Sequence, residues 1–273
     1  MFLLIHVRDY HKTYRETVAV AGLSFDVAPG EILGLVGPNG AGKTTTLRAI
    51  AGIIPPTRGE LVVAGSDVVG QPVAAKRAMA YVPDDPKLFD TLTVWEHLEF
   101  IAAAYRVKGF EEKATALIAR LQLEEKRNTV AQELSRGMRQ KVAIACAYLH
   151  DPIALLFDEP LTGLDPRGIR TMKDLILERA RAGAAVIISS HLLSLVEDLC
   201  SHILILHHGK RLLFGPMAEV REQFADLRPD ATLEEVFFRA TEAGGSSGER
   251  EDVPAGEVDV SAGETEAEGD TGP

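Results

Sequence analysis

The sequence predicts an α/β fold: a mostly parallel sheet flanked by helices, with an N-terminal antiparallel β piece and a helical subdomain inserted into the core. Three observations predict it. Short apolar runs of strand length alternate with stretches of helical periodicity, the pattern of parallel strands buried on both faces. One such run, Glu31 to Val36, passes directly into a glycine-rich turn. Between about Leu88 and His150 the strand-like runs stop and three helical patterns follow one another. At 273 residues the chain has room for one large domain or two small ones and for a sizeable core.

Taken in order, Leu3 to Val7 and Val18 to Val27 alternate enough to predict the antiparallel piece. Glu31 to Val36 is a buried strand, followed by the turn and a helix. Thr93-Val-Trp-Glu96 is a capping box, and Val94, Leu98, Ile101 and Tyr105 follow it at helical spacing. Ala114, Leu117, Ile118 and Leu121 mark a second helix; Met138, Val142, Ala145, Cys146 and Leu149 mark a third. Ile153 to Phe157 and Ala184 to Ile188 are two more buried strands, and Ile203 to Leu206 with Arg211 to Phe214 form a closing pair. The domain expected from these elements runs over 1–240, with its helical subdomain at about 88–150.

Charge divides the chain at the same place. The formal net charge is −11, but ten Asp and Glu against one Arg fall within Thr241–Pro273, so the body carries about −2. The segment 241–273 also lacks aromatic residues and is rich in Gly, Glu, Ser and Ala, so an acidic disordered tail is expected there. A nearly neutral body carries no broad electrostatic footprint for nucleic acid, and no nucleic-acid partner is expected. No apolar run approaches the roughly 18 to 20 residues of a membrane-spanning helix, and the opening MFLLIHVRDYHKTY is charged too soon for a secretory signal. Cys146 and Cys200 form no C-x-x-C pair, so neither a disulfide framework nor a structural zinc is expected, and a reducing cytoplasm is the expected compartment.

The sharpest chemical signal is GPNGAGKTT: Gly37, Pro38, Asn39, Gly40, Ala41, Gly42, Lys43, Thr44 and Thr45. It satisfies G-x-x-x-x-G-K-[ST] between a strand and a helix, which predicts a P-loop NTPase core. Glycines let the backbone wrap a phosphate with several N–H groups pointing inward, and the helix adds its positive end. Lys43 supplies charge for the β and γ phosphates of ATP, and the Thr44 hydroxyl can ligate Mg²⁺. The second signal is IALLFDEP, a strand ending in Asp158 and Glu159 at the edge of the sheet where ligands bind in open α/β folds. Asp158 is expected to hold the metal and Glu159 to handle the attacking water. In LSRGMRQKVAIACAYLHDP, Ser135 and Gly137 open the third helix, where a hydroxyl and free N–H groups make an anion site; a plain helix cap is the bland alternative.

With these motifs in this order the chain resembles the ATP-binding subunits of ABC transporters, from Met1 to about Ala240. The resemblance implies that LSRGM, LSGGQ in the family, completes the ATP site of a second ATP-binding subunit, either an identical copy or a close relative. It implies that GLDP is a D-loop with Asp165 as its acid, and that His191 in SSHLL is the switch histidine that contacts the γ-phosphate. Tyr14 sits where the family places an aromatic that stacks on adenine; a partly buried strand-end tyrosine is the equal alternative. Two departures stand out: where the family reads Gly-Gly-Gln this chain has Arg136, Gly137 and Met138, with Ser135 and the second glycine intact, and Asp84 in YVPDDP replaces the Q-loop glutamine, leaving a group that accepts but does not donate. Asp84 is a further candidate metal ligand. With the late TLEEVFF segment (Thr232 to Phe238), these departures resemble the subgroup serving ABC-2-type exporters. The resemblance implies a separate integral membrane permease, touched near Asp84 to Glu99, and thus a peripheral position on the cytoplasmic face of the membrane. The rival expectation is a soluble ABC-type ATPase acting on ribosomes or DNA. A single P-loop and the absence of a sustained heptad run between P-loop and signature weigh against it.

Overall fold

The computed structural model describes residues 3–223 and 233–235. In chain order the elements are β1 (Ile5–Tyr14), β2 (Thr17–Val27), β3 (Ile32–Val36), α1 (Lys43–Ile50), β4 (Arg58–Val63), β5 (Ser66–Asp67), α2 (Pro72–Ala78) and β6 (Met79–Val82). Three helices follow, α3 (Val94–Tyr105), α4 (Phe110–Arg120) and α5 (Arg136–Tyr148). The chain then returns through β7 (Ala154–Asp158), α6 (Pro166–Arg181), β8 (Ala185–Ser189), α7 (Leu193–Leu199), β9 (His202–His207), β10 (Lys210–Pro216) and α8 (Met217–Gln223).

The strands form two sheets. One is antiparallel, in the order β2-β1-β4-β5; the other runs β10-β9-β3-β8-β7-β6, parallel except for β10 at its edge. Strand periodicity explains why β3, β7 and β8 are apolar up to Asp158 and Ser189, the polar residues that end β7 and β8. Leu33 and Leu35, Ala154 and Leu156, and Ala185 and Ile187 face the core shared with the antiparallel sheet and α1. Val36, Leu155, Phe157, Val186 and Ile188 face the second core, shared with α5, α6 and α7. Successive side chains point to opposite faces, so a strand buried on both must be apolar at every position. The C-terminal ends of β3, β8 and β7 therefore meet along one protected edge.

The antiparallel expectation holds, but β1 continues to Tyr14 rather than ending at Val7. A bulge between Val7 and Tyr10, with Asp9 at φ 43°, resets the register so that Tyr10 points inward again. Tyr10 is fully buried, its hydroxyl donates to the Thr45 carbonyl at 3.4 Å, and burial pushes the phenol well above its ordinary value. On the outer face His6 and Arg8 each contact the Asp26 carboxylate at 2.6 Å. Strands β4 and β6 carry no alternation the sequence alone reveals: RGELVV begins with three exposed residues, and MAYV follows α2 without a break.

The three expected helices lie between β6 and β7. The capping box forms as predicted, with Thr93 Oγ1 accepting from the Glu96 N–H at 3.2 Å and Glu96 Oε2 accepting from the Thr93 N–H at 2.7 Å. His97 fastens the preceding loop to α3: its Nδ1 faces the Thr93 carbonyl at 2.7 Å while Nε2 accepts from the Phe89 N–H at 3.0 Å. The acidic segment 241–273 and most of 232–238 lie outside the described residues.

Candidate functional site

The turn after β3 is built by close approach. Gly42 has φ +101°, and a Cβ there would stand 2.7 Å from the Ala19 carbonyl oxygen, so only glycine fits between β2 and the loop. Lys43 is folded inward, donating to the carbonyls of Gly37 at 2.6 Å and Pro38 at 3.1 Å. Burial lowers its ammonium below the usual lysine range, opposed by the charges of Glu159 and then Asp158. Residues 39–45 line a cavity of ≈ 280 Å³ together with Ala19, Asp84, Asp158 and Glu159. The pattern G-x-x-x-x-G-K-[ST] thus encloses a concave, donor-rich space at the edge of the parallel sheet.

Across that space stands a buried carboxylate. Asp158 is 3% exposed and accepts from Ser189 Oγ at 2.6 Å, from Thr44 Oγ1 at 3.1 Å and from the Tyr81 hydroxyl at 3.3 Å. Three hydroxyls replace the water the group has lost, and Thr44 joins the acid to the P-loop helix. Burial, then the charge of Asp158, raises the Tyr81 phenol to about 12, so it stays protonated and donates. The strand order explains the geometry: β8 lies between β3 and β7, so its terminal Ser189 is placed to reach Asp158. Asp158, Thr44 and Asp84 offer hard oxygen donors of the kind that hold Mg²⁺ beside phosphates. Among the described residues no group of three or more His, Cys, Asp and Glu is placed to hold a metal ion.

Glu159 follows with φ 50°, a left-handed conformation that costs a non-glycine residue and turns the chain sharply at the end of β7. Its N–H donates to the Ser189 carbonyl at 3.1 Å, and its Oε2 meets His191 Nδ1 at 2.8 Å. Glu159 and His191, distant in sequence, are thus joined at the cavity's rim.

The remaining expected residues form a second cluster. Ser135 caps α5, accepting from the Met138 N–H at 3.3 Å. Asp165 caps α6, accepting from the Gly168 N–H at 2.8 Å; that bond, with the Lys141 ammonium at 3.6 Å, holds its carboxyl below the usual range. The two helix starts touch, since a Cβ on Gly137 would collide with the Gly163 carbonyl oxygen. None of Ser135, Gly137 and Asp165 lines the P-loop cavity of its own chain. Tyr14 is 45% exposed at the end of β1, with the Lys12 ammonium 4.9 Å from its ring centroid, and also stands outside the cavity lining.

Three contributors hold site residues through contacts that no sequence motif announces. Ser189 and Tyr81 both hold Asp158; a serine ending the apolar run AVIIS, buried and polar, is the available signal for the first. The third is Arg136, which donates to Asp84 Oδ1 at 2.9 Å.

Comparison with known proteins agrees with this geometry. A family model described as ABC transporter matches residues 20–162. The ABC-type transporter ATP-binding protein EcsA of Bacillus subtilis (strain 168) is 35% identical over 240 residues, 87% of this chain and 96% of that protein. The SkfA peptide export ATP-binding protein SkfE of the same organism is 32% identical over 225 residues, 81% of this chain and 93% of that protein. A solved structure of an ATP-binding subunit of an ABC transporter superposes with a TM-score of 0.83 at 34% identity, covering 87% of this chain and 99% of that one. Motifs, sheet order and relatives converge: the chain belongs to the ABC transporter family, as one of its ATP-hydrolysing, ATP-binding subunits.

Proposed function

We propose that two such subunits close head to tail around two MgATP and drive a separate membrane permease in the direction of export. The observation that supports the ATP chemistry is the chain Thr44–Asp158–Ser189 with Glu159 and His191 beside it, since it sets oxygen donors for a metal next to groups able to orient a water at one edge of the sheet. Lys43 leaves the Gly37 and Pro38 carbonyls for the β and γ phosphates, and the backbone N–H groups of 39–45 cradle them. Thr44 and Asp158, with Asp84 near, would hold Mg²⁺, which would supply charge to the phosphate oxygens. Glu159 orients the water, and His191, positioned by Glu159, meets the γ-phosphate. Ser135 and Gly137 lie outside their own cavity and serve the opposing subunit's nucleotide, while Asp165 couples the two sites. Tyr14 offers an exposed ring for the adenine.

The permease is read from a second concavity. No helix among the described residues is long and apolar enough to cross a membrane. A groove of ≈ 270 Å³ between the 83–89 turn, α3 and α5 exposes Phe89 and Phe100 and is walled by Leu88, Ile101 and Tyr105. It suits an amphipathic helix of the permease, and would hold this chain against the cytoplasmic face of the membrane. Export is favoured by the likeness to SkfE, a SkfA peptide export ATP-binding protein. The ATP-binding unit is proposed to span 1–240, with α3–α5 as its helical subdomain at about 88–150.

Two variants test the chemistry. Glu159→Gln is expected to bind MgATP with near-normal affinity and to hydrolyse it at least ~100-fold more slowly, within the range that removal of a general base or water-positioning group produces. Lys43→Ala is expected to lose nucleotide affinity itself. Near-normal turnover by Glu159→Gln would show that another group orients the water.

A further inference from the structure

The turn at 83–85 is tied to the start of α5 by more than one contact. Arg136, the first residue of that helix, donates to Asp84 Oδ1 at 2.9 Å. One turn further, the buried Gln140 donates from Nε2 to the Pro83 carbonyl at 3.5 Å. The neighbouring Asp85 carboxyl is held below its ordinary value by Lys87 first, with Arg136 and Arg139 adding to the effect. On its other side the Arg136 stem packs on Gly163: a Cβ built there would stand 3.5 Å from both Cγ and Cδ. One guanidinium stem therefore touches the turn that lines the ATP cavity and the turn that leads to Asp165.

Both members of this pair are the family departures noted in the sequence, an arginine for glycine and an aspartate for glutamine. Their coincidence has a physical reason. A glutamine at position 84 needs no counter-charge. An aspartate does, because it shares its cavity with Asp158 and Glu159, and a bare third carboxylate there repels a polyanionic nucleotide.

We propose that Arg136 is a positioning residue for Asp84: it neutralises the carboxylate while the cavity lacks metal, and yields it when Mg²⁺ arrives with the nucleotide. The proposal rests on the proposed head-to-tail ATP site and deepens it. A released Arg136 stands at the first turn of α5 beside Ser135, where the opposing subunit's γ-phosphate docks in that arrangement. Loading one cavity thus frees a cation for the other, and the two sites are linked through a single side chain.

The first half is tested on the full-length chain at dilutions where it is monomeric, by anisotropy of a fluorescent ATP analogue with Mg²⁺ or with EDTA. Arg136→Ala is expected to weaken binding in EDTA, where a bare carboxylate remains, and to tighten it in Mg²⁺, where that carboxylate is free for the metal. Each change is roughly two- to five-fold, the range an exposed ion pair supports. Arg136→Lys restores both values. Changes of the same sign in the two conditions, or none, reduce the pair to a surface salt bridge and overturn the proposal. The second half is read in the Glu159→Gln background at saturating MgATP, where nucleotide binding is complete, by the dissociation constant of the dimer: Asp84→Asn lowers it and Arg136→Ala raises it. Shifts in one direction for both variants overturn the release of Arg136 to the opposing site. If the Glu159→Gln chain itself stays monomeric, the dimer reading fails, while the monomer titration still decides the pairing.

Discussion

Replacing Ser189 by alanine isolates the hold on the buried carboxylate. The Ser189 hydroxyl donates to Asp158 Oδ1 at 2.6 Å, and both residues are nearly fully buried. The variant leaves Asp158 with Thr44 and Tyr81 as donors and opens a space too small to restore full hydration. A hydrogen bond to a charged group contributes about 1.5 to 3 kcal/mol, and little of that is recovered in so small a space. At roughly 2 to 4 °C per kcal/mol for a chain of this size, the midpoint of thermal unfolding should fall by about 3 to 12 °C. The adjacent Ser190→Ala is the matched control: its Oγ accepts only from the Leu192 N–H at 3.0 Å, a neutral bond of about 0.5 to 1.5 kcal/mol. Differential scanning fluorimetry reads both. Saturating MgATP should narrow the Ser189→Ala deficit, because the metal gives the carboxylate a new partner. If Ser189→Ala melts within a degree of the parent, or no lower than Ser190→Ala, the hydroxyl does not hold Asp158.

Thr93→Ala removes the oxygen that accepts from Glu96 and should cost about 1 kcal/mol by denaturant titration, with ATPase activity changing less than stability. Gly137→Ala drives a methyl into the Gly163 carbonyl; separating the two helix starts should cost about 1 to 3 kcal/mol and sharply reduce ATPase activity, measured beside a melting curve to tell the two effects apart. The Asp165 carboxyl lies below its ordinary value, first through the Gly168 N–H, so the linkage sign is that of a depressed acid. Its contribution is complete above the ordinary carboxylate value of about 4 and is lost as pH falls through the depressed one. Denaturation of the parent and of Asp165→Asn should therefore differ most near neutrality and converge on acidification; a gap that widens on acidification contradicts the assignment.

The centre of the molecule is legible in the sequence because it is built from unambiguous signals. Strands β3, β7 and β8 are apolar up to the polar residues Asp158 and Ser189 that end β7 and β8, since each feeds two cores, and no helix of that length would need the same pattern. The P-loop, the Asp158–Glu159 pair and the Thr93 box are local in sequence and can be read at sight. The edges are less legible. Strand β4 opens with three exposed residues and gains its identity only by pairing with β1, and the second half of β1 depends on a bulge that no period-two pattern encodes. In the site, Tyr81 gives no local sign of its importance and Ser189 only that it ends an apolar run; their roles come from strand order, with β8 and β6 on either side of β7. The Arg136–Asp84 pair joins residues 52 positions apart, so the two departures look separate until the fold brings them together.

The central claim is that a nucleotide's γ-phosphate holds two subunits together. Sedimentation of the Glu159→Gln chain with and without MgATP measures it directly. Conversion from monomer to a dimer retaining two nucleotides, with no conversion by MgADP, is the predicted result; a chain that binds MgATP yet sediments as a monomer at every concentration contradicts it.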